Sequence, residues 1–158
     1  MLYVTLKSLH LLSIVVWIGG MVFVNFFLRP SLVGFEPAVR VRLMHAVLAR
    51  FFMAVLGMAA LAVVTGGWMI GRTAAQMSQS GVHFNMPLEW MIMANLGMLM
   101  VLIFGYIRFV LYRRLDQAVQ AADWTKGADA LTHIRHWVLV NLTLGVVIVL
   151  VTLIGVSS

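Results

Sequence analysis

Apolar and polar positions alternate along this chain on the scale of whole helices rather than single turns. Apolar stretches cover residues 2–28, 43–70, 88–107 and 137–156. Each is too long for a buried helix of a water-soluble domain, and crossing the hydrocarbon core of a bilayer takes about 20 such residues. The pattern predicts an all-α integral membrane protein, a four-transmembrane-helix bundle. Its helices are expected over about 2–28, 38–70, 87–122 and 129–156, within a single transmembrane domain.

Polar punctuation refines the limits. Pro30 and Pro37 interrupt the first connection, and Pro37 after Glu36 is placed to open helix two in its first turn. The second connection is rich in Gly, Ser and Gln, and Asn85 ahead of Pro87 reads as a cap for helix three. In the third, Leu115, Val119 and Ala122 keep helical spacing, so helix three should leave the membrane and turn near Lys126 and Gly127. The first apolar stretch lacks a basic start and runs straight into Arg29 and Pro30, which argues for a retained span rather than a cleaved signal.

Composition fits this picture, with 63% hydrophobic and 10% charged residues, against about 25% charged in soluble domains. No cysteine is present, which removes disulfides, thiolate metal sites and a cysteine nucleophile. Lys and Arg near the helix ends set orientation. Arg29, Arg40, Arg42, Arg50, Arg108, Arg113, Arg114, Lys126 and Arg135 fall on one side, Lys7 and Arg72 on the other. That imbalance predicts the nine-residue side in the cytoplasm and both termini on the periplasmic side. The formal charge of +6 then answers to topology and anionic headgroups, with no aromatic-studded basic fold to indicate nucleic acid.

Ionisable groups at membrane depth are costly and therefore mark candidate chemistry. His10 lies roughly 12 Å into helix one, on a stripe with Leu6, Lys7, Ser13 and Trp17 that should face the bundle interior. It reads either as a histidine bonded between helices or as a ligand or redox group. His45 and His136 lie at the cytoplasmic ends of their helices, at similar depth. Two facing imidazoles could ligate a porphyrin iron, with Arg42, Arg50 and Arg135 near enough in sequence to pair with propionates; the alternative is a pair of solvated interfacial histidines. Some 20 Å of axial separation keeps His10 off any metal they share. His133 and His83 are more peripheral.

Of the 12 methionines, Met69, Met77, Met86, Met91 and Met93 cluster towards the periplasmic side. Thioether sulfur prefers Cu(I) and tolerates imidazole as a co-ligand, so His10 with Met93 or Met69 forms a candidate copper site; gap-filling by flexible side chains is the bland reading. The carboxylates Glu36, Glu89, Asp116, Asp123 and Asp129 all lie in loops or at helix ends, which leaves no acid and base pair for hydrolysis beside His10. Asn95 and Asn141 lie within spans and are expected to bond across the bundle, and glycines including Gly19, Gly20, Gly57, Gly66, Gly67, Gly97, Gly105, Gly145 and Gly155 are expected at close helix contacts, within one bundle or between subunits of a homo-oligomer.

The runs LKSLHLLSIVVWIGGMVFVNFFLRPSL, LARFF, VVTGGWMI, MLMVLIFGYIRFVLYRRL and IRHWVLVNLTLGVVIVLVTLIG, in this order and spacing, resemble the short four-helix form of the copper-resistance protein D (CopD) family. The resemblance implies a multi-pass protein of the bacterial inner membrane linked to copper uptake or homeostasis, on a bundle similar to the four-helix di-haem cytochromes b. In those cytochromes histidines on helices one, two and four hold two haems, a layout that His10, His45 and His136 match by helix. A fourth histidine, expected near Leu150, is absent, and Met91 and Tyr106 stand where short CopD proteins would carry histidines on helix three. Two readings follow from the resemblance. One is a haem b protein carrying electrons between quinol and a periplasmic redox protein, with HemJ-type protoporphyrinogen oxidases as an enzymatic variant. The other is a copper-handling permease, serving a periplasmic copper protein, that uses His10 and the outer methionines; an accessory bundle without cofactor is a third.

Overall fold

A computed structural model of the chain describes residues 1–81 and 85–157. Four helices, each long and apolar enough to cross a membrane, account for nearly all of them: α1 (Leu2–Ser31), α2 (Pro37–Gln79), α3 (Leu88–Gln120) and α4 (Trp124–Ser157). This is an all-α integral membrane protein, and its environment is a lipid bilayer. A bilayer core offers no water to backbone amides, so a spanning segment must close its hydrogen bonds within itself.

Limits follow local chemistry. Glu36 precedes α2 and Pro37 occupies its first turn, as its fixed φ and missing N–H allow. Asn85 does not cap α3, because Pro87 holds the capping position and no side chain bonds there. Helix α2 continues through 71–79 before Gly81, at φ +74°, ends the turn. The turn between α3 and α4 falls at Ala121–Asp123, earlier than the residues Lys126 and Gly127 that sequence favoured. Ala122 takes φ +53° there, and the Asp123 Oδ1 accepts from the Lys126 backbone N–H at 3.0 Å, starting α4.

Consecutive helices run antiparallel, α1 packing mainly on α2 and α3 on α4. One end of the bundle therefore gathers the start of α1, the end of α2, the start of α3 and the end of α4; it is called the terminal end below. The opposite end carries Arg29, Arg40 and Arg135 and is called the arginine end. Between them lies an aromatic core, with Trp17 and Phe52 each edge-on to Phe104 and Phe52 edge-on to Tyr112, at centroid distances of 5.6–6.0 Å. Large apolar side chains such as Phe27, Leu102, Phe109 and Leu153 stay exposed, as expected of a bundle whose outer surface meets hydrocarbon.

Two π-helical turns interrupt the arginine half, at Phe23–Leu28 in α1 and Ile107–Leu111 in α3. Wider turns leave carbonyls to be satisfied locally. In α1 the buried Asn25 donates its amide to the Met21 carbonyl at 2.9 Å.

The glycines divide sharply. A methyl group on Gly145 would press on Ile18 and Met100, and one on Gly155 on Glu89, so these positions do set close contacts. Gly19, Gly57, Gly67, Gly97 and Gly105 have open space at that position, so they set no close contact within the bundle. Asn95 is exposed and bonds its own helix, at the Met91 carbonyl. Asn141 is buried with its Oδ1 unpartnered among the described residues. Neither makes the cross-bundle bond expected of it.

Candidate functional site

A cavity of about 230 Å³ opens within the terminal end. Its existence follows from missing side chains, since Gly66 and Gly67 of α2, Gly97 of α3 and Gly145 of α4 all line it. Its remaining lining is apolar apart from His10, with thioethers from Met93, Met98 and Met100. Met93 and Met100 share one helix face because seven residues make two turns.

The imidazole of His10 is held by α2. Its Nδ1 lies 3.0 Å from the Ala62 carbonyl and 3.2 Å from the Thr65 hydroxyl. Since a carbonyl only accepts, Nδ1 carries the proton. Thr65 spends its own proton on the Leu61 carbonyl at 2.6 Å and so accepts from the ring. Neutral imidazole then has its lone pair on Nε2, the arrangement by which an outer partner fixes a metal-binding tautomer. Below the ring, Gly66 leaves room for the imidazole: a Cβ there would stand 3.1 Å from His10 Cε1. Ser13, fully buried, donates back to the His10 carbonyl and adds no polarity to the cavity.

Of the methionines paired with His10 by sequence, Met93 reaches the cavity and Met69 does not. Sequence reasoning missed Met98 and Met100. Their signal was present in the spacing of Met93 and Met100 along α3, but depth counting favoured the loop residues. Among the described residues no three His, Cys, Asp or Glu side chains gather at metal-binding distance. The donor set here is therefore one imidazole with thioethers, which suits a soft monovalent cation.

At the arginine end no hydrogen bond or ring contact joins the two histidines among the described residues. His45 turns to α3, where its Nε2 lies 2.9 Å from Asp116 Oδ1 and 3.1 Å from the Tyr112 hydroxyl, with the ring stacked on Tyr112. Sequence reasoning left Asp116 at a helix end and missed this cluster; Tyr112 and Asp116, one turn apart on α3, were its only trace. His136 is exposed and meets the edge of Trp137. A porphyrin iron shared by the two would require His45 to leave both its partners, so this pair does not fit a bis-histidine haem. The arginines assigned to propionates also disperse. Arg42 stacks over Trp124, Arg50 bonds its own helix at Ala46, and Arg135 lines a cavity with Arg29 and Arg40. His133 bonds the Asp129 carbonyl one turn back, and His83 lies outside the described residues.

Neither a curated protein nor a solved structure matches the chain. The family model described as Copper resistance protein D matches residues 45–154, from within α2 to near the end of α4. His10 precedes the matched segment, whereas the α2, α3 and α4 walls of its cavity fall inside it. With well over half of its length matched, the chain belongs to the copper resistance protein D family.

Proposed function

We propose that this protein handles copper as cargo, taking Cu(I) into the terminal-end cavity on His10 Nε2 and the Met93 thioether, with Met100 and Met98 as further soft donors. The observation that carries the reading is that His10 and Met93, on different helices, line one cavity with no carboxylate in its wall. An apolar wall disfavours hydrated divalent ions, while thioether and imidazole compensate a soft ion for lost water. The Ala62 carbonyl holds the ring and keeps Nε2 unprotonated, so no proton need be released at Nε2 when the metal binds. The imbalance of Lys and Arg supports a periplasmic position for this end in a bacterial inner membrane, with the cavity as an entry site.

The test is a competition titration of detergent-purified protein with a Cu(I) chelator under reducing conditions, beside the absorption spectrum and metal analysis of the same sample. Stoichiometric Cu(I) binding that disappears in His10→Ala supports the reading. A sharp reduced-minus-oxidised Soret signal with iron bound would overturn it in favour of haem b electron transfer, and binding of neither would favour a cofactor-free bundle.

A further inference from the structure

We propose that the cavity enclosed by Arg29, Arg40 and Arg135 at the arginine end binds the phosphate of an anionic phospholipid headgroup. The cavity measures about 270 Å³ and lies where the end of α1, the start of α2 and the first half of α4 converge. Asn25, Pro30, Leu32, Val33, Met44 and Leu131 complete its lining.

Three guanidinium groups gather here without a carboxylate. The ion pairs among the described residues are His45 with Asp116 and Lys126 with Asp123, and neither involves these arginines. Glu36, close in sequence, is exposed and pairs with none of them. Like charges so placed repel, and the charges of Arg135 and Arg40 both act on Arg29. Arg29 is half-buried, where that repulsion is less screened than in water. An anion in the cavity would offset that repulsion by adding an attraction to each guanidinium.

Arg29 is also preset for the task. One of its five N–H donors goes to the Leu131 carbonyl at 2.5 Å, which ties the guanidinium to α4 and leaves the others for a ligand. Arg40 and Arg135 make no side-chain hydrogen bond among the described residues, so their donors are uncommitted. Guanidinium forks match phosphate oxygens in geometry and charge.

The surroundings favour a lipid over free phosphate. Pro30, Leu32 and Val33 give the cavity wall an apolar flank beside the arginines. Phe26 and Phe27, just before Arg29, are about 60% exposed on the outer surface of α1. A headgroup in the cavity would thus have apolar surface beside it for its chains. Basic pockets between spanning helices are a recurrent means of holding anionic lipid.

Native mass spectrometry of the full chain, released from bilayer discs of phosphatidylglycerol and phosphatidylcholine, tests this site independently of copper. The expected result is one retained phosphatidylglycerol per chain and little phosphatidylcholine. Replacing Arg40 and Arg135 with Gln, which spares the Arg29 bond to Leu131, should lower retention by about tenfold for each guanidinium removed. Arg113→Gln, exposed on α3, should leave it unchanged. Should the double variant fail to fold, Arg135→Gln alone carries the test, because that side chain is exposed and makes no hydrogen bond among the described residues. Equal retention in variant and wild type, or equal retention of phosphatidylcholine, would overturn the proposal. Displacement of the lipid by millimolar inorganic phosphate would also overturn it, by assigning the site to a free anion.

Discussion

His10 and His45 are both half-buried histidines on spanning helices, yet the two ends of the bundle treat them differently. At the terminal end one ring nitrogen of His10 is fixed by a backbone carbonyl, and the other is left in an apolar cavity among thioethers. At the arginine end the Nε2 of His45 is taken by Asp116 and Tyr112, and the ring is sandwiched against the phenol. A histidine therefore becomes a candidate ligand here through what its neighbours leave unbonded, and depth alone does not decide it. The cavities differ in the same sense. The one near His10 is nearly neutral and suited to a soft cation, whereas the one near Arg29 is strongly positive and suited to an anion.

The aromatic core that separates the ends is the most sensitive point. Phe52 is 1% exposed and contacts Phe104 and Tyr112. Phe52→Ala should cost about 3–5 kcal/mol through the cavity it leaves, read as a fall in thermal stability in detergent. Because Phe52 supports Tyr112, and through Phe104 also Trp17, copper binding and the His45 cluster should weaken together. Loss of one without the other would show that the ends are less coupled by this core than its contacts imply.

His10→Ala separates the ends most directly. Cu(I) affinity should fall by more than about 100-fold, exceeding the roughly 10–100-fold typical of an outer-shell partner. His45→Ala should leave that affinity within about twofold, since distant sites act independently. Equal losses in the two variants would dissolve the distinction between them.

Gly66→Ala sharpens the comparison, as its Cβ would stand 3.1 Å from His10 Cε1 and displace the ring from Ala62. Copper affinity should fall about tenfold with little loss of fold. Asp116→Asn should cost about 1 kcal/mol of stability, an amount kept small by partial exposure, and leave copper binding intact.

The smallest effect belongs to Asp123 in the turn before α4. A hydrogen bond from the Lys126 ammonium holds its carboxyl below the usual carboxylate range. A carboxyl lowered in the folded state stabilises the fold above its unfolded pKa, and that contribution disappears as pH falls through the lower folded value. Replacing it with Asn should therefore flatten the acid limb of a pH–stability curve slightly. Its partner Lys126 is largely exposed and the pair is screened by water, so only a small loss of stability at neutral pH is expected.

Much of the site was within reach of the sequence. The polar stripe through His10, Ser13 and Trp17 does turn inward, although Lys7 on the same stripe is exposed. Met93 lines the cavity with His10, whereas Met69, at the same height between the lining residues Gly67 and Ile70, lies on another face of α2. The facing of His45 and His136 was not legible, since similar depth fixes height along the bundle and leaves the rotation of each helix open. Asn95 and Asn141 illustrate the same limit. Both lie within spans, yet one is exposed and the other buried.

The sequence by itself determined that this chain is four apolar helices crossing a membrane and joined by short turns. Hydrocarbon leaves the backbone no partner but itself, so length and hydropathy suffice to identify each span. Only the tertiary structure decided which nitrogen of His10 stays free, that His45 meets Asp116, and that Arg29, Arg40 and Arg135 surround one cavity. Those outcomes depend on the rotation and register of each helix. Rotation and register are set by the summed packing of many small contacts, at Gly145 on Ile18 and Met100 or Phe52 on Phe104, which no single segment encodes.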